Sequence, residues 1–213
     1  MTQDDILKLY KNFEQDIQLG PGQGIVEPDF KVLKNFSGVA LVGENPGDYD
    51  VQAGEHFVGP YSRVLNETLL PSAGLNRDNV YLANVVKFNL PANRDPEPSE
   101  IASCGELTLL ELEFVKPKLV VAMGKFAAEF FLEMSVKITK IHGTFYHYSQ
   151  NNLAFDLLIT THPAAAYHNS YYINNIQSDF ELIKKYLDNQ ESIDFLELPK
   201  TKSKSADFGE GLF

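Results

Sequence analysis

The strongest constraint on the fold of this chain is the alternation of short apolar runs with segments of helical periodicity. Each apolar run has the length of a buried strand and is bounded by residues that favour turns. We predict four core strands, over residues 39–43, 80–86, 119–123 and 153–160. Strands that alternate with helices form a parallel sheet that is covered on both faces. The sequence therefore predicts the α/β class, as a three-layer α/β/α fold around a central four-stranded parallel sheet.

The spacing of apolar residues also predicts the helices and one hairpin. We expect helices over residues 3–18, 62–70, 99–115, 125–134 and 171–187. Ser99 would cap the third of these helices. An asparagine-rich turn at residues 149–152 predicts a hairpin, with residues 144–148 as its first arm and the fourth core strand as its second.

Length and composition are consistent with one globular domain. The chain has 213 residues, of which 44% are hydrophobic and 22% are charged, and these values are ordinary for a domain with a packed core. We expect this domain to cover residues 1–198, with an N-terminal helix and loop over 1–37 and a core over 38–190. Residues 199–213 form a polar tail that cannot bury enough apolar surface to fold alone, so we expect it to be flexible.

The composition disfavours several classes of protein. The apolar runs are shorter than the roughly 20 residues of a membrane span, and the acidic N-terminus has no signal-peptide pattern. We therefore expect a cytoplasmic protein without membrane contacts. The net charge of −11 argues against holding nucleic acid mainly by bulk electrostatics, although a local basic rim can still contact a few phosphates. The single cysteine, Cys104, provides neither a disulfide nor a cysteine-ligated metal site by itself.

The polar residues of interest follow the predicted strands, where the carboxyl ends of a parallel sheet form binding sites. Glu44 and Asn45 lie in a tight turn after the first strand. Asn84 lies near the end of the second strand, His162 follows the fourth, and Phe57 supplies a flat apolar ring. A group that positions water, an imidazole donor and a stacking ring suit the hydrolysis of a bond to a heteroaromatic leaving group, such as a base flipped out of DNA.

Six sequence motifs, which occur in order along the chain, make this functional prediction more specific. In chain order they are Gly43-Glu-Asn-Pro-Gly-Asp48, Gly54-Glu-His-Phe-Val-Gly-Pro60, Asn84-Val-Val-Lys87, Asn93-Arg-Asp-Pro-Glu-Pro-Ser-Glu-Ile101, Lys116-Pro-Lys-Leu-Val-Val-Ala-Met-Gly124 and His162-Pro-Ala-Ala165. Over about residues 39–170, this set resembles the uracil-DNA glycosylase superfamily. It is most similar to the fourth family, whose thermophile-type enzymes carry an iron–sulfur cluster.

The resemblance implies how a flipped base would be bound. Phe57 would stack on the uracil ring, and Asn84 would read the edge of the base through its side-chain amide. His162 would donate a hydrogen bond to O2 of the base as negative charge develops there. Gly43 and Gly47 would line the pocket.

The turn at Glu44 and Asn45 combines features of different branches of the superfamily. The iron–sulfur family typically has a small residue before Pro46, whereas the mismatch-specific thymine/uracil enzymes and the single-strand-selective family have a similar Gly-x-Asn-Pro-Gly turn. The resemblance implies that Asn45 positions the attacking water, with Glu44 orienting that water or countering the positive charge of the sugar. Gly47 stands where the main uracil enzymes have a bulky ring, so we expect room for bases such as hypoxanthine or a 5-substituted uracil.

The four cluster cysteines of the iron–sulfur family are not reproduced in this chain. Cys104 matches one of them, Phe88 replaces another, and the N-terminal pair has no counterpart. Because a cluster needs four ligands, we predict no cluster, no other metal and no cofactor. We expect Phe88 to fill the vacated space with apolar packing.

DNA contacts are predicted around the pocket. Lys87, Arg94 and Lys125 are candidate phosphate contacts, the last of them at a helix N-terminus. The loop after the catalytic histidine inserts into the duplex in the related enzymes, so Tyr167 is the candidate wedge. His168 stands where that family usually has arginine.

The sequence thus predicts a monofunctional DNA glycosylase that hydrolyses the N-glycosidic bond of uracil, or of a related deaminated or modified base, and leaves an abasic site. No lysine is placed to form a Schiff base, so strand cleavage is not expected. The alternatives are a non-catalytic module that binds DNA or a base, and an enzyme for a different modified base or a free nucleotide. A relative that bonds to the base through histidine ranks last, because its basic loop is absent.

Residues 211–213 resemble the ends of peptides that bind sliding clamps, so a clamp is a candidate protein partner.

Overall fold

The structure, a computed structural model, describes residues 1–150, 152–169, 171–189 and 193–198. Its centre is a six-stranded sheet. The strands are β1 (Val39–Gly43), β2 (Tyr81–Asn84), β3 (Leu119–Met123), β4 (Phe145–Gln150), β5 (Leu153–Thr160) and β6 (Phe195–Leu196). From one edge to the other, their order is β2-β1-β3-β5-β4-β6. The first four strands in this order run parallel, which confirms the predicted parallel core.

Two strands extend this core on one side. β4 pairs antiparallel with β5, as the predicted hairpin requires, and β6 pairs parallel with β4. β6 is an addition that the sequence pattern did not predict. β2 is shorter than predicted, because the chain bends at residues 85–87, although the N–H groups of Val85 and Val86 still donate to the carbonyls of Gly43 and Glu44.

Eight helices accompany the sheet in the described part of the chain. They are α1 (Gln3–Asp16), α2 (Asp48–Ala53), α3 (Leu70–Ser72), α4 (Pro98–Val115), α5 (Lys125–Leu132), α6 (Ile138–Ile141), α7 (Ala164–His168) and α8 (Tyr171–Asp188). The helix predicted over residues 62–70 is present within a continuous helical segment over 60–72, which begins as a 3₁₀ turn (Pro60–Ser62), contains a π-helical turn (Leu65–Leu69) and ends as α3.

Side chains alternate along the buried strands, so each face of the sheet carries its own apolar cluster. On one face, Val42 of β1 and Val120 of β3 pack with residues of α1, α4 and α5. On the other face, Leu41 and Val121 pack with the π-helical turn, α3 and α8. These two helix layers confirm the predicted three-layer arrangement.

The start of α4 corrects one prediction. Ser99 is not the N-cap, because Pro98 occupies the first helical position, where a missing N–H is not needed. The N-cap is Glu97, whose backbone N–H donates to the Glu100 carboxylate at 2.8 Å. The carboxylate of Glu100 thus satisfies the backbone N–H of the N-cap residue.

Two further expectations concern the surroundings of the domain. Within the described residues, no helix combines the length and apolar character that crossing a membrane requires. The predicted tail over residues 199–213, with the candidate clamp-binding end at 211–213, lies outside the described residues.

Candidate active site

The carboxyl ends of the four parallel strands lie next to one another and bring the predicted site residues together. Gly43 of β1 is in register with Asn84 of β2, and Met123 of β3 is in register with Thr160 of β5. His162 follows directly after the end of β5. The site is therefore assembled from segments that are far apart in the chain.

The absence of a side chain at Gly43 allows two site residues to approach β1. A β-carbon on Gly43 would lie 2.5 Å from Oδ1 of Asn84 and 2.7 Å from Cζ of Phe57. Both distances are too short for real contacts. The amide oxygen of Asn84 and the tip of the Phe57 ring thus converge at the end of β1.

Gly124, directly after β3, has the same role on the other side of the site. Its φ of 99° is accessible mainly to glycine. A β-carbon here would collide with Oε1 of Glu44 and would lie 3.1 Å from Cβ of His162. Glu44 and His162 therefore flank a position that must remain without a side chain.

The loop that carries Phe57 is held in an uncommon conformation. Phe57 has a φ of 57°, which costs energy for a bulky residue, and its side chain is only 4% exposed. Nη1 of Arg77 and Nδ2 of Asn66 each donate to the Phe57 carbonyl at 2.9 Å. The buried carboxylate of Asp50 accepts from the N–H of Gly47 at 3.0 Å and from the N–H that follows Phe57 at 2.8 Å. These bonds fix the ring before any ligand is bound.

Asn84 is completely buried, and both ends of the residue are held. Its backbone carbonyl accepts from Nζ of Lys87 at 2.7 Å and from Oγ1 of Thr108 at 3.3 Å. Its side-chain Nδ2 lies 3.1 Å from Nδ1 of His56. The amide is thus positioned at the site by partners on its inner side.

Lys87 corrects a prediction, because a phosphate cannot reach it. The side chain is 0% exposed, and Nζ lies 2.6 Å from the carboxylate of Glu111, which is equally buried. The hydroxyls of Tyr10 and Tyr81 also donate to Glu111. Burial beside Glu111 raises the pKa of both tyrosines, so their hydroxyls stay protonated donors. Lys87 therefore anchors the end of β2 from inside the core instead of contacting DNA.

His162 is half-buried, with its ring centroid 6.3 Å from that of Phe57. Its Nδ1 accepts a hydrogen bond from the backbone N–H of Ala164 at 3.2 Å. Burial lowers the pKa of His162 below 6.5, and the carboxylates of Glu44 and Asp50 oppose this shift in part. The ring is therefore neutral at neutral pH. Because Nδ1 accepts, the one ring proton is on Nε2, which is a hydrogen-bond donor for a ligand.

The turn after β1 presents two polar groups. Nδ2 of Asn45 donates to the carbonyl of Pro46 at 2.9 Å, and this bond leaves Oδ1 as the acceptor of the same amide. The carboxylate of Glu44 accepts from the N–H of Phe126 in the first turn of α5, at 3.2 Å. A helix N-terminus stabilises negative charge, so α5 fixes the Glu44 carboxylate beside His162.

The predicted phosphate contacts Lys125 and Arg94 lie outside the buried site. Lys125 is exposed at the first position of α5, with Nζ 4.8 Å from the centre of the Phe126 ring. Arg94 forms a bidentate pair with Glu100, at 2.8 Å and 2.5 Å, so a phosphate would have to compete with this carboxylate. For both residues, a phosphate contact stays a prediction.

The predicted wedge, Tyr167, lies on α7 and is 57% exposed. Its ring packs edge-on against that of Tyr61, with centroids 4.8 Å apart. The side chain of His168, the last residue of α7, lies outside the described part of the chain. A contact of either residue with DNA stays a prediction.

The residues around Cys104 do not fit an iron–sulfur cluster. Cys104 is the only cysteine of the sequence, and a cluster requires four ligands. Cys104 and Phe88 are buried in one apolar cluster with Val86 and Leu90, and burial raises the pKa of the Cys104 thiol. This packing confirms the prediction that Phe88 occupies apolar space next to the remaining cysteine.

His56 and Arg77 were not predicted as parts of the site, and Gly124 was predicted only as the last residue of the motif over residues 116–124. His56 contacts the Asn84 amide, Arg77 holds the loop of Phe57, and Gly124 makes room between Glu44 and His162. The signal for His56 is its position next to Phe57. The signal for Gly124 is its position directly after a predicted strand. For Arg77, we find no signal in the sequence, because its partners lie in a different segment.

Comparisons with known proteins agree with this geometry. The sequence model of the uracil DNA glycosylase superfamily matches residues 30–187. The type-4 uracil-DNA glycosylase of Archaeoglobus fulgidus is 34% identical over 149 residues, which are 68% of this chain and 74% of the relative. The enzyme of the same name from Sulfurisphaera tokodaii is 32% identical over 69% of each chain. That of Thermotoga maritima is 42% identical over 49% of this chain and 55% of the relative. With its matching fold and its converging strand-end residues, this protein belongs to the uracil-DNA glycosylase superfamily.

Proposed function

We propose that this protein is a monofunctional DNA glycosylase that hydrolyses the N-glycosidic bond of uracil in DNA and leaves an abasic site. One observation carries the proposal. A neutral histidine donor, a buried amide and an aromatic ring converge at one strand edge, on His162, Asn84 and Phe57. This is the set of groups that a pocket for a flipped pyrimidine needs. The names of the relatives point to the same substrate.

Phe57 and Asn84 would hold the flipped base. The fixed ring of Phe57 gives a flat apolar surface for stacking, and the buried amide of Asn84 gives hydrogen bonds to the edge of the base. Both groups are in place before the base arrives, so little ordering entropy opposes binding.

His162 would stabilise the leaving group. When the bond between sugar and base breaks, the electrons of that bond go to the uracil ring, and negative charge develops on O2. The Nε2–H of His162 would donate to this oxygen. Because the donor is preorganised in a half-buried site, its bond strengthens as the charge grows, which lowers the barrier of the chemical step.

Asn45 and Glu44 would act on the sugar side. Oδ1 of Asn45 would accept a hydrogen bond from the attacking water and aim its oxygen at the anomeric carbon. Glu44, fixed to the start of α5, would counter the positive charge of the sugar in the transition state. The oxygen of the water then bonds to the anomeric carbon as the bond to the base breaks. The proton that this oxygen loses passes to solvent, from which the uracil anion is protonated.

DNA is the proposed partner, held by few contacts because the protein is acidic. Lys125 would bind a phosphate at the N-terminus of α5, and Arg94 would do so after leaving Glu100. Tyr167, supported by Tyr61, would fill the gap left by the flipped base. A sliding clamp as protein partner and a cytoplasmic location stay predictions.

The test of this proposal uses oligonucleotides with one uracil, single-stranded and double-stranded, that are incubated with the protein and then treated with alkali. We expect strand breaks at the uracil only after the alkali treatment, because hydrolysis leaves an abasic site and no lysine-linked intermediate. An otherwise identical oligonucleotide with thymine or cytosine in place of uracil is the control. Tight binding of the uracil strand without any cleavage would instead support the non-catalytic alternative.

The space around Gly47 also favours excision of bases other than uracil. A β-carbon on Gly47 would have as its nearest neighbour Oδ2 of Asp50, at 3.9 Å, so the turn leaves space on this side. In the same assay, we expect cleavage at 5-hydroxymethyluracil or at hypoxanthine in addition to uracil. Strict rejection of every base except uracil would contradict this second proposal and leave the first intact.

Exchange of Gly124 for alanine tests the packing at the centre of the site. In Gly124→Ala, the new methyl group would displace Glu44 and His162, and we expect a loss in kcat of about 100-fold, as for a misplacement of about 1 Å. Gly74→Ala is the matched control, because Gly74 also has a positive φ, of 71°, but open space around it. A positive φ makes alanine unfavourable in both variants, so equal activities would contradict the importance of the contact with Glu44 and His162.

A further inference from the structure

The ring of His56 lies against the base-reading amide and has no role in the proposed mechanism. His56 is 4% exposed and Asn84 is 0% exposed. Nδ1 of His56 is 3.1 Å from Nδ2 of Asn84. Within the described residues, Nε2 of His56 and Oδ1 of Asn84 are both buried without a hydrogen-bond partner. Buried polar atoms are nearly always paired, so these two atoms need an explanation.

The contact between the two side chains indicates which ring nitrogen of His56 carries the proton. In the orientation that the Asn84 amide has here, its nitrogen faces His56 and can only donate, so Nδ1 of His56 accepts and the proton of the neutral ring is on Nε2. A charged imidazole carries protons on both nitrogens and could not make this bond. Burial and the nearby cations Lys87 and Arg77 lower the pKa of His56 to about 3, which keeps the ring neutral. With its proton on Nε2, the neutral ring of His56 is an acceptor for this amide.

A neutral His56 with its proton on Nε2 matches only one of the two orientations of the Asn84 amide, the one found here. With Nδ2 on the side of His56, Oδ1 faces the end of β1, where it lies close to the position that a side chain on Gly43 would occupy. The tip of the Phe57 ring reaches the same place. The unpaired oxygen is therefore at the position proposed for the base edge.

An oxygen at this position distinguishes uracil from cytosine by the group at N3 of the ring. Uracil has an N–H at N3 that can donate to Oδ1, whereas N3 of cytosine has a lone pair that would face the oxygen. A site whose buried polar groups stay unpaired with the wrong ligand can reject it by about 10⁴- to 10⁵-fold. The opposite orientation of the amide would place Nδ2 there and would suit cytosine.

We propose that His56 is a specificity-determining residue, which holds the Asn84 amide with its oxygen towards the base and so restricts the site to bases with an N–H at this edge. The inference rests on the proposed glycosylase function, because the base edge is defined by that function. His56 acts through Asn84 and is a positioning residue, not a catalytic one.

The first experiment compares kcat/KM for uracil and for cytosine in the same oligonucleotide. In His56→Phe, which keeps a ring but cannot accept, we expect the ratio of uracil to cytosine excision to fall at least about tenfold. His56→Gln is the matched variant, because its Oε1 can accept from Nδ2, and it should keep most of the ratio. If both variants retain the full ratio, or lose it equally while remaining folded by circular dichroism, the proposal is overturned.

A second experiment does not depend on activity. In protein labelled with ¹⁵N-histidine, the spectrum of the His56 ring, assigned by its absence in His56→Phe, should show Nδ1 unprotonated and Nε2 protonated. This pattern should persist from neutral pH to about pH 5, well below the usual histidine pKa. A ring with its proton on Nδ1 would overturn the proposal. Absence of cleavage in the wild type, together with the expected spectrum, would count against the glycosylase function and not against the orientation of the amide.

Discussion

His162→Ala is expected to lower the kcat of uracil excision by about 100- to 1,000-fold, the usual effect of removing one preorganised donor from a developing anion. The variant loses the Nε2–H that would face O2 of the base, while Phe57 and Asn84 remain. The affinity for uracil-containing DNA should change much less than kcat, because the donor matters most in the transition state. Single-turnover cleavage and a binding isotherm with the same oligonucleotide measure the two quantities separately.

His147→Ala is the matched control for this prediction. His147 lies on β4, towards the far edge of the sheet, where Nδ1 is 2.8 Å from the carboxylate of Asp156 and the ring stacks on Phe195. Loss of this exposed side chain should leave cleavage unchanged. Equal activities of the His162 and His147 variants would show that the proposed donor has no part in the reaction.

Lys87→Met is expected to lower the free energy of unfolding by about 3–5 kcal/mol, the range for breaking a buried ion pair from one side. The variant leaves the carboxylate of Glu111 in the core without a cation and removes the donor to the Asn84 carbonyl. Urea unfolding, followed by circular dichroism, measures the change. Since the end of β2 loses its anchor, excision should also weaken.

Two further variants separate the ion pair from a general effect of losing a lysine. Lys125→Met removes an exposed lysine and should change the stability by no more than about 0.5 kcal/mol. In the double variant Lys87→Met with Glu111→Gln, the neutral amide no longer needs a cation and can still accept from the tyrosines. This double variant should recover part of the lost stability. If Lys87→Met costs no more than Lys125→Met, the buried pair does not contribute in the way we infer.

The parallel core and its site edge were predictable, because both depend on local patterns. Apolar runs of strand length, separated by helical periodicity, specify a covered parallel sheet, and the carboxyl ends of its strands must share one edge. The meeting of Phe57, Asn84 and His162 follows from this topology together with the order of the motifs. Their detailed geometry does not follow, since it depends on glycines whose contacts come from distant segments.

The wrong prediction for Lys87 shows where such reasoning stops. A lysine after a strand end is ordinarily solvated, and nothing near it in the sequence indicates burial. Its partner Glu111 and the two tyrosines come from α4, α1 and β2, so only the packed structure shows that the charge is neutralised. The role of His56 was missed for the same reason, because its contact with Asn84 exists only after the loop folds against β2.

The assembly of the site from four strand ends also has a consequence for how the protein becomes active. Contacts between segments that are distant in the chain form slowly, because closing long loops costs entropy before the contacts can compensate. Glu44 and His162 meet only when β1, β3 and β5 are paired. Recovery of catalysis after dilution from denaturant therefore reports completion of the whole sheet, and a nascent chain gains activity only after the last core strand has left the ribosome.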